Sequence, residues 1–110
     1  MSSLEQGDII EIDFTPAVGH EPAKLRPAIV VSEYSFNSRS SLVALIPVSS
    51  TDNGYPLHVK LDSKAVTGFA VVEGLRTLDV AQRGYTLLGT ADDAAMRTIM
   101  TIIRGIFGLR

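Results

Sequence analysis

The sequence predicts a mainly β fold, a small and strongly bent antiparallel sheet or partly open barrel, with one helix at its C-terminal end. Short runs of alternating or β-branched apolar residues recur between positions 8 and 88, separated by turns that contain glycine, proline and asparagine. A single stretch with helical periodicity follows them. The chain has 110 residues, enough for one hydrophobic core, so we expect one domain over residues 1–110.

Five runs have clear strand patterns and two more are short. Residues 7–14 alternate apolar with charged side chains, which is typical of a strand with one solvated face. Residues 26–32 contain three consecutive β-branched residues, which favours burial of both faces. The other predicted strands cover residues 42–46, 57–61 and 68–72, with 75–78 continuing or bending the fifth and 85–88 adding a short one.

The connections between these runs differ in length and composition. Residues 15–25 contain two prolines and a glycine and exceed an ordinary hairpin connection, so we expect a functional loop there. Residues 34–40 are polar and predict at most one helical turn. Pro47 is expected to end the third strand or to place it on an edge, because proline cannot donate a ladder hydrogen bond.

The last stretch predicts an amphipathic helix. Thr90 has the character of an N-cap, with Asp93 at the third helical position, while Gly105 and Gly108 weaken the final turns. Helical spacing relates Met96, Ile99, Met100, Ile103, Ile106 and Phe107, and Ile102 and Leu109 widen the apolar surface beyond one stripe. A monomer of this size would leave part of that surface in water, so we expect a homodimer that buries it.

Composition narrows the function classes. The chain has no cysteine and only two histidines, far apart in sequence, which argues against a metal site, and no cofactor is expected. The first residues show no basic start followed by an apolar run, and no stretch could span a bilayer, so we expect a cytoplasmic protein with no membrane contact. The net charge of −2 means that any site for a polyanion must be local.

Polar residues gather at the ends of predicted strands, where a small barrel could bring them to one rim. The first cluster contains His20, Glu21 and Arg26, with Lys24 in the same loop, the second Ser49, Ser50 and Thr51, and the third Glu73 and Arg76. An arginine fork and hydroxyl donors suit phosphate oxygens. Each cluster also has a plainer interpretation, as a solvated loop, a hydroxyl-rich turn or a surface ion pair.

A series of short motifs extends in order from Gly7 into the C-terminal helix. They are Gly7-Asp8-Ile9, Val18-Gly19-His20-Glu21, Leu25-Arg26-Pro27, Pro47-Val48-Ser49-Ser50, Gly54-Tyr55-Pro56, and Arg76-Thr77-Leu78-Asp79 ahead of Arg83-Gly84. In this order and spacing they resemble the MazF/PemK family of toxin endoribonucleases. The resemblance implies an SH3-like barrel of the CcdB/PemK type that works as a homodimer. It also implies metal-independent cleavage of single-stranded RNA at short sequences, and a cognate antitoxin whose C-terminal segment occupies the RNA groove.

The resemblance also assigns roles to particular residues. The family's catalytic arginine corresponds to Arg26 and its catalytic hydroxyl to Ser49. In the PemK branch, a loop histidine corresponds to His20, and an aspartate that acts as general base corresponds to Glu73. An arginine of that branch falls on Val71, and Glu73-Gly74 departs from the usual acidic residue plus glutamine. Either Glu73 or His20 would carry the proton, since an arginine does not ordinarily lose its own. The candidate RNA contacts are Glu21, Lys24, Ser50, Thr51, Tyr55 and Arg76.

Two other functions fit the same resemblance. A gyrase-poisoning toxin on this fold would act through protein contacts and would not need Arg26 with Ser49. A catalytically inactive module that binds RNA or a peptide would explain the departures at Val71 and Glu73-Gly74.

Overall fold

The computed structural model describes residues 2–16, 18–20, 24–52 and 54–109, and the described part forms one curled antiparallel sheet with a C-terminal helix. The strands are β1 (Asp8–Asp13), β2 (Leu25–Val30), β3 (Leu42–Ser49), β4 (His58–Asp62), β5 (Thr67–Val71), β6 (Arg76–Asp79) and β7 (Thr86–Thr90). The helices are α1 (Tyr34–Asn37), α2 (Val80–Arg83) and α3 (Asp93–Phe107), and a 3-10 turn spans Val72–Gly74. The predicted bent sheet with a terminal helix is confirmed, whereas α2 was not predicted.

The strands lie in the order β4-β5-β3-β2-β1-β7, and β6 pairs with β3. Apolar side chains fill both faces of the central strands. One cluster packs against α3, β4 and β5, and the other packs beneath β6 and α2. On β1, Ile9 belongs to the first cluster and Ile10 to the second, and both are fully buried. The expectation of a half-exposed first strand holds toward its end, where Glu11 is half-buried and Asp13 is exposed, whereas Ile9 near its start is buried as well.

Pro47 lies inside β3 rather than at its end, which corrects the sequence prediction. The strand continues to Ser49 and is paired along both edges. On the outer edge, β6 pairs with residues 42–45 and β5 with residues 48–49, and the 3-10 turn separates the two partners. Proline is tolerated because the neighbouring strand is interrupted at its position, so the missing N–H costs the ladder nothing.

Asn37 is the one fully buried polar side chain of the described residues. Its side-chain nitrogen donates to the carbonyl oxygens of Leu4 (2.9 Å) and Ser32 (3.0 Å), and its side-chain oxygen accepts from the Ser32 hydroxyl (2.5 Å). Its backbone carbonyl oxygen accepts from the backbone N–H of Ser2 (2.9 Å). These bonds satisfy the buried amide and fasten the N-terminal segment to α1.

Helix α3 begins later than the sequence predicts. Thr90 is the last residue of β7, and the N-cap is Asp92, whose carboxylate accepts from the backbone N–H groups of Ala95 and Asp62, each at 3.1 Å. The cap therefore stabilises the first turn and joins the helix to β4. Gly105 does not end the helix, which stops at the left-handed Gly108 (φ 67°).

One face of α3 packs on the sheet as predicted. Ile99 is fully buried, and Met96, Met100, Ile102 and Ile103 are partly buried against the same cluster. The last turn is different, because Ile106, Phe107 and Leu109 are 45%, 60% and 64% exposed. None of the described helices is long and apolar enough to cross a membrane.

The Asp92 cap makes stability depend on pH. Partial burial of the carboxylate disfavours its ionisation, but the backbone hydrogen bonds from Asp62 and Ala95 outweigh this and lower the pKa of Asp92 below its ordinary value. The folded state thus favours the ionised form, and the stabilisation is present above about pH 4 and is lost as the pH falls through the lowered pKa. Asp92→Ala should lower the free energy of unfolding by about 1 kcal/mol at neutral pH, with the difference shrinking in acid.

Urea unfolding across the acid range measures both effects. Asp92→Asn keeps a good cap without a titrating carboxylate, so it should flatten the acid dependence while staying close to the parent at neutral pH. Asp93→Asn, one position along the same turn, is the matched control. Equal stability of Asp92→Ala and the parent at neutral pH would contradict the capping role.

Candidate active site

Arg26 and Ser49 lie together at one end of the β2–β3 pair. Ala28 is opposite Pro47 at the end of the β2–β3 ladder, and Arg26 and Ser49 each lie two residues beyond that pair on their own strands. Both residues line a cleft of about 400 Å³. Its other lining residues are Glu11, Leu25, Pro27, Val48, Ser50, Thr51 and Thr67. The predicted arginine and hydroxyl therefore share one concave surface.

The local backbone places Arg26 and the Ser49 hydroxyl, two groups that can donate to an anion, at this smaller cleft. Lys24 adopts a left-handed conformation (φ 71°) that turns the chain into β2, where Arg26 is half-buried. The Ser49 hydroxyl oxygen accepts from the backbone N–H of Thr51 at 3.1 Å, which leaves the hydroxyl proton able to be donated. On the other side of Ser49, β5 approaches closely through Gly68, where a Cβ would lie 2.6 Å from the Ser49 carbonyl oxygen.

A larger cleft of about 760 Å³ contains the remaining predicted catalytic residues. His20 enters it from the β1–β2 connection, and Glu73 projects from the 3-10 turn between β5 and β6. Arg76 lines it as well, and its Nη1 atom is buried with no hydrogen-bond partner among the described residues. The other lining residues are Val71, Gly74, Leu75 and Thr77. This cleft combines a cation, a carboxylate and an imidazole.

The four predicted catalytic residues are thus divided between two clefts rather than gathered in one. The β1–β2 connection contributes His20 to the larger cleft, and the strand that it leads into contributes Arg26 to the smaller. Ser50 and Thr51 line the smaller cleft as predicted, whereas Lys24 and Tyr55 are exposed and line neither. Glu21 lies outside the described residues.

Sequence reasoning missed His58, which contacts the larger cleft from behind. Its Nε2 atom is 2.9 Å from Oε2 of Glu73, and its side chain is only 8% exposed. The alternating pattern of β4 places His58 on the solvent side of the sheet, the side of Lys60. Only the pairing of His58 with Val71, at the end of β5, brings it beside the 3-10 turn, so no local sequence signal could have identified the contact.

The root of the β1–β2 connection is fixed by a residue distant in sequence. Arg83 Nη1 donates to the carbonyl oxygens of Asp13 (2.8 Å) and Thr15 (2.6 Å). The Asp13 carboxylate accepts from the hydroxyl and backbone N–H of Thr15, and these bonds, with the nearby Arg83 charge, lower the pKa of Asp13. The structure thereby anchors the segment that supplies His20 and Arg26.

The part of the chain that the structure describes contains no set of metal ligands, since no three His, Cys, Asp or Glu side chains come together there. The groups available to a substrate in the two clefts are the guanidinium groups of Arg26 and Arg76, hydroxyls, the carboxylates of Glu11 and Glu73, and the His20 imidazole. Such groups can hold a phosphodiester and transfer protons.

Comparison with known proteins gives consistent results. Residues 5–107 match the family model described as PemK-like, MazF-like toxin of type II toxin–antitoxin system. The chain is 30% identical over 104 residues to the endoribonuclease toxin MazF of Escherichia coli K12, with 94% of each chain covered. The predicted family resemblance is confirmed.

Solved structures agree on the fold. MazF from Deinococcus radiodurans superposes with a TM-score of 0.91 at 28% identity, covering 99% of this chain and all of that one. A MazE–MazF structure from the same organism gives a TM-score of 0.86 at 26% identity, with 99% and 100% covered. The predicted small-barrel fold of this family is therefore confirmed.

Proposed function

The chain belongs to the PemK-like, MazF-like toxin family of type II toxin–antitoxin systems, and we propose that this toxin endoribonuclease cleaves single-stranded RNA without a metal ion, with Arg26 and Ser49 as its catalytic residues. The observation that carries the proposal is that these two residues, on neighbouring strands, both line the smaller cleft. The substrate would be messenger RNA in the cytoplasm, and its cleavage by this single domain would stop translation and growth.

The reaction follows from the groups in the clefts. The ribose 2′-oxygen attacks the adjacent phosphorus and loses its proton to a base. The bond from phosphorus to the 5′-oxygen breaks, and that oxygen gains a proton, which leaves a 2′,3′-cyclic phosphate and a 5′-hydroxyl. DNA lacks the nucleophile, so selectivity for RNA is inherent in the mechanism.

Arg26 and Ser49 stabilise the extra negative charge of this transition state. The guanidinium offers two parallel N–H donors to the phosphoryl oxygens, and the Ser49 hydroxyl offers one more. Donors that are already in place before reaction are worth more than mobile water, because no reorganisation is needed as charge develops.

Glu73 and His20 are the candidates to carry the two protons. Both line the larger cleft, which neighbours the smaller one through the β1–β2 connection. An RNA strand that crosses both clefts would place a nucleotide against Arg76, whose buried Nη1 is able to donate to a phosphate or to a base edge.

The partners follow from the same surfaces. The exposed apolar turn at the end of α3 supports a homodimer, in which two sets of clefts would form one longer groove. The MazE–MazF structure of the D. radiodurans relative supports a cognate antitoxin as second partner, with its C-terminal segment in that groove.

Arg26→Ala should lower RNA cleavage by about a hundredfold or more, because it removes the main charge on the phosphate while leaving the core intact. Cleavage of a fluorescent RNA measures this, with Arg39→Ala, an exposed arginine away from both clefts, as the matched control. Ser49→Ala should cost less, and Ser49→Thr should be tolerated since the hydroxyl remains. Loss of less than about tenfold in Arg26→Ala, or ~1.4 kcal/mol of transition-state stabilisation, would overturn the assignment. It would then favour a gyrase-directed toxin or an inactive module.

The products and the ion requirement give a second prediction. Fragments should carry a 2′,3′-cyclic phosphate and a 5′-hydroxyl, and cleavage should persist in excess chelator because the proposed chemistry uses only side chains. Mass spectrometry of the fragments identifies the termini. Strict dependence on magnesium, or 5′-phosphate products, would contradict the mechanism.

Dimerisation gives a third prediction. Light scattering at micromolar concentration should show twice the mass of one chain, because the end of α3 has no cover within the described protomer. Phe107→Asp should shift the mass toward one chain, whereas Arg97→Asp, an exposed site earlier on the helix, should do so less. A mass of one chain at all concentrations would show that each groove is built within a single protomer.

A further inference from the structure

His58 is a histidine that its strand pattern would leave in water but that the structure buries. On β4 it shares a face with Lys60 and Asp62, and both of those are exposed. Its side chain is nevertheless only 8% accessible, because two neighbours cover it. One is Glu73, at 2.9 Å, and the other is Tyr55, whose ring meets the imidazole edge-on with centroids 5.2 Å apart and planes inclined at 73°.

The hydrogen bonds of His58 indicate which of its ring nitrogens carries a proton. A carboxylate only accepts, so Nε2 must carry the proton that is shared with Glu73. The other ring nitrogen, Nδ1, is buried and has no partner among the described residues. A proton on Nδ1 would therefore be a buried donor left without an acceptor, which costs more than an unpaired lone pair. His58 therefore carries on Nε2 the proton that Glu73 accepts.

This arrangement reverses the usual order of a carboxylate and a histidine in an active site. Here the carboxylate faces the cleft and the histidine stands behind it, because Glu73 lines the larger cleft and His58 does not. Glu73 is on a short 3-10 turn and its side chain is 38% exposed, so the turn alone does not fix its direction. The bond from His58 is the one hydrogen bond of the Glu73 side chain among the described residues.

We propose that His58 is a positioning residue, which holds the Glu73 carboxylate at the wall of the larger cleft and joins it to Tyr55 of the β3–β4 connection. The inference rests on the proposed role of Glu73 in RNA cleavage. Tyr55 contacts His58 in two ways. Its ring packs against the imidazole, and its carbonyl oxygen accepts from the His58 backbone N–H at 2.9 Å. A single imidazole thus connects two residues that sequence analysis assigned separately to the RNA site.

Three variants separate positioning from packing. His58→Leu keeps an apolar group of similar size but removes the donor, and should lower kcat by about tenfold or more while the urea midpoint stays near that of the parent. His58→Gln keeps an N–H donor at a similar reach and should recover much of that loss. Lys60→Ala, on the same face of β4, is the matched control and should cleave like the parent. Equal activity of the Leu and Gln variants would overturn the proposal.

Coupling to Glu73 is the second measurement. In a Glu73→Gln background, His58→Leu should cause little further loss, because the group that it positions is already gone. Additive losses would show that His58 acts elsewhere. Arg26→Ala is assayed alongside. If it remains active, the proposed function itself fails, whereas an inactive Arg26→Ala with a fully active His58→Leu rejects only the positioning role.

The third measurement does not depend on activity. Long-range ¹H–¹⁵N correlation spectra of the parent at neutral pH should show His58 as the Nε2-protonated tautomer, and Glu73→Gln should shift its ring nitrogens more than those of His20. An Nδ1-protonated ring cannot donate to Glu73 and would overturn the assignment.

Discussion

The pairing of β3 along both of its edges is the constraint on which both clefts depend. On one edge β2 continues the sheet, and the ends of the two strands bring Arg26 and Ser49 to the same cleft. On the other edge β6 gives way to β5, and the turn between them projects Glu73. A strand without Pro47 could accept a continuous neighbour along that edge, and the residues of the turn would then be ordinary ladder residues. Pro47 therefore marks the position where the partner of β3 changes from β6 to β5, beside the turn that carries Glu73.

Local pattern was enough to predict most of the elements, because alternation and turn residues are properties of short segments. It was not enough to predict which faces are covered, since the burial of Ile9 depends on the curl of the whole sheet. The start of α3 was misplaced by two residues because Thr90 and Asp92 are both good caps. Tertiary contacts distinguish them, because Thr90 pairs with Asp8 in the sheet and Asp92 contacts β4.

The sequence identified candidate site residues, but not how the structure distributes them between two clefts. Arg26 and Ser49 were identified by their motifs, and antiparallel pairing brings them together. Glu73 and His20 were identified in the same way, yet the structure places them in a separate cleft. His58 carried no motif, since its importance comes from a partner 15 residues away across a strand pair. Resemblance finds the residues that a family shares, whereas supporting residues become visible only in three dimensions.

The clamp of Arg83 on the root of the β1–β2 connection also bears on how the protein is synthesised. Arg26 and Ser49 leave the ribosome early, but the two carbonyl groups that Arg83 holds are 70 and 68 residues before it. The first strand must likewise wait for β7 to complete its second edge. A nascent chain therefore contains Arg26 and Ser49, the candidate catalytic residues, long before the contacts that complete its fold can form. We expect the new toxin to be inactive toward the ribosome that makes it until translation of its message is nearly finished, because the contacts of Arg83 and β7 form last.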